Sequence, residues 1–248
     1  MTKALCIGWG AAVQGKDKDM AAWEAALKKP FDPWVENHDS QTILRSKTLD
    51  ALLTATEVRD RAAALIGRIN GAMALSCHAG SLRFAGGVTQ FMSDGKRHRT
   101  IFTEMFDELD VIDTIAAVSV IGPDGKPVPP APAQESDVQA WVSLADTDDL
   151  LDDALVYFGT ATEWFDIYKT LETLILRFGG QGKKAEEAFL SLGWALKPRI
   201  KLLKQTANWV RHAKRKYRRP SKPMELSEAR QLIDQLLRRA LLEAARKP

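Results

Sequence analysis

The sequence predicts an α+β protein in which a small antiparallel sheet with one long helix precedes an all-helical bundle. Three observations carry this. Two β-rich runs, 82–92 and 98–105, flank Ser93-Asp94-Gly95-Lys96, and Asp-Gly between such runs marks a tight hairpin turn. In 54–75, Val58, Ala62, Leu65, Ile66, Ile69 and Met73 recur at steps of three and four, the spacing of an amphipathic helix. After the proline-rich run GPDGKPVPPAPAQ, whose prolines fit neither a helix interior nor a central strand, no β alternation returns. Runs 5–13 and 114–121 supply further strands, and the long helix backs the sheet. The division expected is therefore an α/β domain over 1–122, a linker over 123–135 and a helical domain over 136–248. Helices are expected near 136–145, 147–158, 161–178, 183–194, 197–217 and 224–246, punctuated by Gly159, the cluster Gly179-Gly180-Gln181-Gly182, Pro198, Pro220 and Pro223.

A chain of 248 residues can bury one large core or two modest ones, and 45% hydrophobic with 27% charged residues suits a folded globular protein. No apolar run approaches the roughly 20 residues needed to cross a bilayer, so no membrane partner is expected. The first residues, MTKALCIGWG, lack the longer apolar core and cleavage site of a secretion signal and read as a strand. Cys6 and Cys77 are too few for a disulfide framework, which points to a cytoplasmic location. Charge is distributed unevenly. Residues 197–248 hold 16 Lys and Arg against 4 Asp and Glu, a surplus of 12, whereas 1–196 carry a net −9. A basic block on an acidic chain is the footprint of a phosphate or nucleic-acid surface, and equally of a solvated helix face or a surface for an acidic partner.

Several motifs lead nowhere. Gly8-Trp9-Gly10 lacks the third glycine of a dinucleotide fingerprint and no GxxxxGK[ST] loop occurs, so no cofactor is expected. Cys6, Cys77 and His78 have no paired ligand spacing, and no metal is expected. Asp146, Asp148, Asp149, Asp152 and Asp153 crowd a helix start, where negative charge suits the dipole, and read as capping. Lys96-Arg97-His98-Arg99 reads as an exposed basic turn.

One constellation remains, in KQTANWVRHAKR. On a helix, Ile200, Leu203, Ala207 and Val210 make an apolar face, and Lys204, Asn208, Arg211, His212 and Arg215 make a polar strip beside it. A His exchanges protons near neutrality, an Arg holds phosphate bidentately, and an Asn donates to a phosphoryl oxygen or orients the imidazole. A metal-free ribonuclease needs these parts, and a solvated helix face with an incidental His has the same composition. The final helix, with Leu226, Ala229, Leu232, Ile233, Leu236, Leu237, Ala240 and Leu241, offers an apolar face broad enough for a core and for a homodimer partner.

The segment TANWVRHAKRKYRRPSKPMELSEARQLIDQL resembles the last two helices of HEPN-like proteins, whose signature puts a polar residue, often Asn, four positions before a His. Asn208 and His212 have that spacing, and WFDIYKTLE from Trp164 is similar to the first core helix of the group. The Arg expected just before the Asn is Ala207 here, and the nearest guanidinium is Arg211. The resemblance covers about 136–248 and implies a metal-independent endoribonuclease of the toxin or phage-defence type, acting as a homodimer through its C-terminal helices. In that reading His212 activates the ribose 2′-OH, Arg211 stabilises the phosphorane and Asn208 orients the imidazole. Lys204, Arg215, Lys216, Arg218 and Arg219 hold the RNA backbone. The group also contains non-catalytic proteins that bind RNA, nucleotides or partner proteins, which is the alternative for this chain.

Overall fold

A computed structural model describes residues 4–102, 134–212 and 216–246. Its elements are β1 (Cys6–Gln14), α1 (Asp17–Ala26), β2 (Trp34–His38), β3 (Gln41–Arg45), α2 (Lys47–Asp50), α3 (Ala55–Cys77), β4 (Arg83–Met92), β5 (Arg97–Ile101), α4 (Asp137–Ala145), α5 (Asp149–Gly159), α6 (Trp164–Gly179), α7 (Ala185–Ser191), α8 (Lys197–Arg211) and α9 (Leu226–Ala245). The fold is mixed α+β, as the sequence predicts. The strand expected at 114–121, the last residues of the run 98–105 and nearly all of the proline-rich segment lie outside the described residues. Residues 1–62 with 84–136 group as one compact unit, and 63–83 with 137–248 as another. The long helix expected behind the sheet thus counts, from residue 63 onward, with the helices. Among the described residues no helix is long and apolar enough to cross a membrane.

The first unit is built on an antiparallel sheet of order β2-β3-β1-β4-β5. The Asp-Gly hairpin forms as expected: Gly95 takes φ 82° and β4 pairs β5 from Gly87 with Ile101 to Phe91 with Arg97. A second hairpin, β2–β3, has no such signal. Its turn residues Asp39 and Ser40 both adopt left-handed φ, 50° and 62°, which two-residue turns need to match strand twist and which Asn-Gly normally supplies.

Gly8 and Gly10, which sequence reasoning left without a role, make room for Arg45. Opposite Gly10 in the ladder, Arg45 runs across β1 so that its Cζ stands 4.0 Å from the Phe91 ring centroid on β4. A Cβ on Gly10 would come 2.7 Å from Arg45 Cδ, and one on Gly8 2.6 Å from Arg45 Nη2 and 2.3 Å from Asp50 Oδ1. The guanidinium donates to Glu36 Oε1 at 2.8 Å and Asp50 Oδ1 at 3.2 Å, and Asp50 also accepts from Trp9 N at 2.7 Å. Burial alone would raise the Glu36 pKa, but donation from Lys29, His38 and Arg45 outweighs it and holds the carboxyl down at about 2. A carboxyl depressed in the folded state stabilises above its unfolded pKa, here the ordinary 4.5, and that contribution disappears as pH falls through about 2. Urea unfolding of the first unit is expected to lose on the order of 2–3 kcal/mol between neutrality and strong acid from this group. In Glu36→Gln the acid-linked loss should be smaller by that amount; an identical pH dependence in parent and variant would contradict it.

The second unit is all helical, and its elements lie close to the expected ones except at the end of α8. Helices α3 and α5 meet at backbone level, where a Cβ on Gly71 would come within 2.0 Å of the Leu155 carbonyl oxygen and one on Gly159 within 2.7 Å of Gly71 N. Two helices can approach at backbone level only where neither carries a side chain. The acidic run at the start of α5 does more than cap. Asp148 Oδ1 accepts from Leu151 N at 3.2 Å as the N-cap, and its Oδ2 holds Arg177 of α6 at 2.5 Å. Asp152 grips the buried Arg68 bidentately at 2.7 and 2.9 Å, while Asp146 takes the third guanidinium nitrogen at 2.7 Å. The apolar face of α9 is used by its own core: Ala229, Leu232, Ile233, Leu236, Leu237, Ala240 and Leu241 are all buried within the chain. The breadth that suggested a dimer partner is therefore consumed internally. Arg230 and Arg238 fasten α9 further by donating to the carbonyls of Ala161 and Leu75.

Candidate nucleic-acid interface

Helix α8 carries Lys204, Asn208 and Arg211 of the residues singled out from the sequence, and His212 caps it. Pro198 opens it, where a missing N–H costs nothing, and Ile200, Leu203, Thr206 and Ala207 form its buried stripe. The Thr206 hydroxyl accepts from the buried Met224 N at 3.1 Å, which ties the far end of the basic connector back to the helix. Val210, expected to continue the stripe, is 47% exposed. Arg211 continues it instead. Its Cζ lies 4.2 Å from the ring centroid of Tyr168 and 5.3 Å from that of Phe165, both on α6. Its Nε and Nη1 are shielded from solvent and have no hydrogen-bond partner among the described residues. Burial and the neighbouring Glu172 carboxylate push the Tyr168 hydroxyl pKa up, against the opposing pull of Lys204 and Arg211.

The helix ends at Arg211, six residues before the expected 217, with His212 as its extended cap (φ −103°, ψ 158°). Continuing it would stack Arg211, Lys214, Arg215 and Arg218 at three- and four-residue steps, where like charges repel. The polar strip is therefore not continuous. Asn208 and Arg211 lie on α8, and the Asn208 carbonyl accepts from His212 N at 3.2 Å. The imidazole packs on Tyr217, centroids 4.9 Å apart and planes tilted 34°. Lys204 is engaged by Glu186 of α7, so its charge is already answered inside the unit. Lys216, Arg218 and Arg219 follow the helix end and are exposed. Arg215 lies outside the described residues.

Sequence reasoning missed four participants: Phe165 and Tyr168, which hold Arg211; Glu186, which pairs Lys204; and Trp209, whose ring lies 4.9 Å from the Arg219 guanidinium. Trp209 lies within the motif itself, but the other three come from helices distant in sequence. Chemically, this end of the unit offers exposed cations, half-exposed aromatic rings and one imidazole. Between Lys197 and Met224 there are 11 Lys and Arg and no Asp or Glu. Compared with known proteins, the chain matches no family model, no curated protein and no solved structure.

Proposed function

We propose that the helical unit binds RNA, as a HEPN-like protein, through the basic segment that follows Arg211. The observation that carries this reading is the run of 11 cations without one carboxylate, of which Lys216, Arg218 and Arg219 stand exposed beyond the helix end. Each neutralised phosphate releases counterions, so the affinity should fall steeply with salt. In Lys216→Ser/Arg218→Ser/Arg219→Ser the salt slope should drop by about 2, taking roughly 0.7 per lost contact on a single strand. Fluorescence anisotropy with labelled RNA across a salt series checks this, and a salt-independent affinity or an unchanged slope in the triple variant would remove the reading.

Metal-independent cleavage is the second reading, favoured by His212 at the helix end, next in sequence to Arg211 and against Tyr217. The imidazole would take the ribose 2′-OH proton, the 2′ oxygen would bond to phosphorus, and the 5′ oxygen would leave with a proton, giving a 2′,3′-cyclic phosphate. Arg211 does not lie in a solvent strip as the sequence suggests, because its guanidinium faces Tyr168 and Phe165. That favours binding as the primary reading. Incubation with total RNA in EDTA and end-group analysis distinguishes the two: cyclic phosphate ends lost in His212→Ala support cleavage, and intact RNA with retained binding supports binding alone.

A further inference from the structure

Apart from the buried Tyr168, three aromatic rings stand at the C-terminal end of α8, and each is met by a cation. Arg211 lies 5.3 Å from the Phe165 ring, Arg219 4.9 Å from Trp209, and Lys216 5.7 Å from Tyr217. Phe165 is 48% exposed and Tyr217 39%, and Trp209 is half-buried. Rings in such positions gain little from the core, and Ile200, Leu203 and Ala207 of α8 show that the core beside them is filled by aliphatic side chains.

The possible polyanionic ligands differ in what they can offer these rings. A duplex presents phosphates on its outside and keeps its base faces stacked on each other, so it would engage the cations and leave the rings unused. An acidic protein surface likewise supplies carboxylates but no planar groups. An unpaired strand presents a phosphate and a free base face at every nucleotide, which matches cation and ring placed side by side. Resting on the RNA reading above, we infer that the ligand is single-stranded RNA whose bases stack on Phe165 and Tyr217 while its phosphates meet Lys216, Arg218 and Arg219. Specificity for sequence is not expected from such a surface, since every base has a stacking face.

The test uses the full chain, a labelled RNA of about a dozen nucleotides, and the same RNA annealed to its complement, at one salt concentration. Single-stranded RNA is expected to bind at least about tenfold more tightly than the duplex. Phe165→Leu and Tyr217→Leu keep apolar bulk but remove the ring, and each is expected to weaken single-strand binding by about five- to a hundredfold while leaving duplex binding and the salt slope unchanged. Tyr217→Phe retains the ring and should bind as the parent does, which separates stacking from loss of the hydroxyl or of local structure. Equal affinity for both forms, tighter duplex binding, or parent-like single-strand binding by both Leu variants would overturn the stacking assignment and leave the RNA reading standing. Binding of neither RNA would overturn the RNA reading and this inference with it.

Discussion

Arg68→Met is expected to destabilise the helical unit by about 3 kcal/mol, the lower end of the cost of breaking a buried ion pair from one side. The Arg68 side chain is only 5% exposed and answers two carboxylates, Asp146 at 35% and Asp152 at 28% exposure. Because the carboxylates keep access to water when the guanidinium goes, the cost stays below that of stranding fully buried charges. The network joins α3 to α5 and to the turn before it, so its loss weakens one of the contacts that hold 63–83 to the rest of the unit. For a chain of this size the change corresponds to roughly 6–12 °C in the unfolding midpoint. Arg68→Lys should recover only part of it, since an ammonium cannot grip Asp152 with two parallel bonds. Adding Asp146→Asn and Asp152→Asn to Arg68→Met should also recover part, because the unpaired negative charges are then gone. Thermal and urea unfolding followed by helical circular dichroism measure all of these, and a parent-like midpoint for Arg68→Met would show that the network contributes no net stability.

The helical half was legible because its signals are local. Apolar spacing, Gly159, the cluster at 179–182 and the prolines at 198, 220 and 223 set its elements, apart from the end of α8, within a few residues of where they form. The β2–β3 hairpin was not, because Asp39-Ser40 performs the turn without a glycine and Trp34–His38 alternates poorly. The exact course of α8 was lost for two different reasons. The cations that follow Arg211 would repel one another on a continued helix, which an apolar periodicity does not register. Whether position 210 or 211 turns inward is undecided by a 3.6-residue period, since both follow the stripe of Ile200, Leu203 and Ala207. The aromatic surface of α6 decides for Arg211, and no local pattern in α8 reports that surface.

The same limit governed the candidate site. Asn208, Arg211 and His212 could be singled out from residue types and spacing, yet what Arg211 touches lies on α6, tens of residues away. Lys204 illustrates this. In sequence it is one more cation on a polar strip, and in the fold it is the partner of Glu186. Removing such paired cations from the basic tally leaves the exposed residues after the helix, Lys216, Arg218 and Arg219, as the stronger candidates for phosphate contact. The acidic run before α5 shows the converse: residues that composition assigns to capping are divided between a cap, Asp148, and the ligands of a buried guanidinium, Asp146 and Asp152.

Two glycines one turn apart on α3 are expected to respond to alanine with opposite signs. In an exposed or open helical position Gly→Ala gains about 1 kcal/mol, because alanine loses less backbone entropy on folding. At Gly67 a Cβ would meet only the Val156 side chain, at 3.6 and 3.8 Å, which is ordinary van der Waals contact. Gly67→Ala should therefore stabilise the helical unit by up to about 1 kcal/mol. At Gly71 the same atom would lie 2.0 Å from the Leu155 carbonyl oxygen and 2.5 Å from its carbon, both backbone atoms that no rotamer change can move aside. Relief requires α3 and α5 to separate, which opens the packing around Leu155 and pulls on the Arg68 network one turn away. Overpacking alone costs typically 1–3 kcal/mol, and a backbone obstruction where α3 and α5 meet should reach or exceed about 3 kcal/mol after the propensity gain is subtracted. Urea unfolding of the two single variants side by side reads the difference, about 4 kcal/mol or more. A stabilised Gly71→Ala protein would mean that α3 and α5 are not in backbone contact, and a strongly destabilised Gly67→Ala protein would mean that the space beside Gly67 is not open to a methyl group.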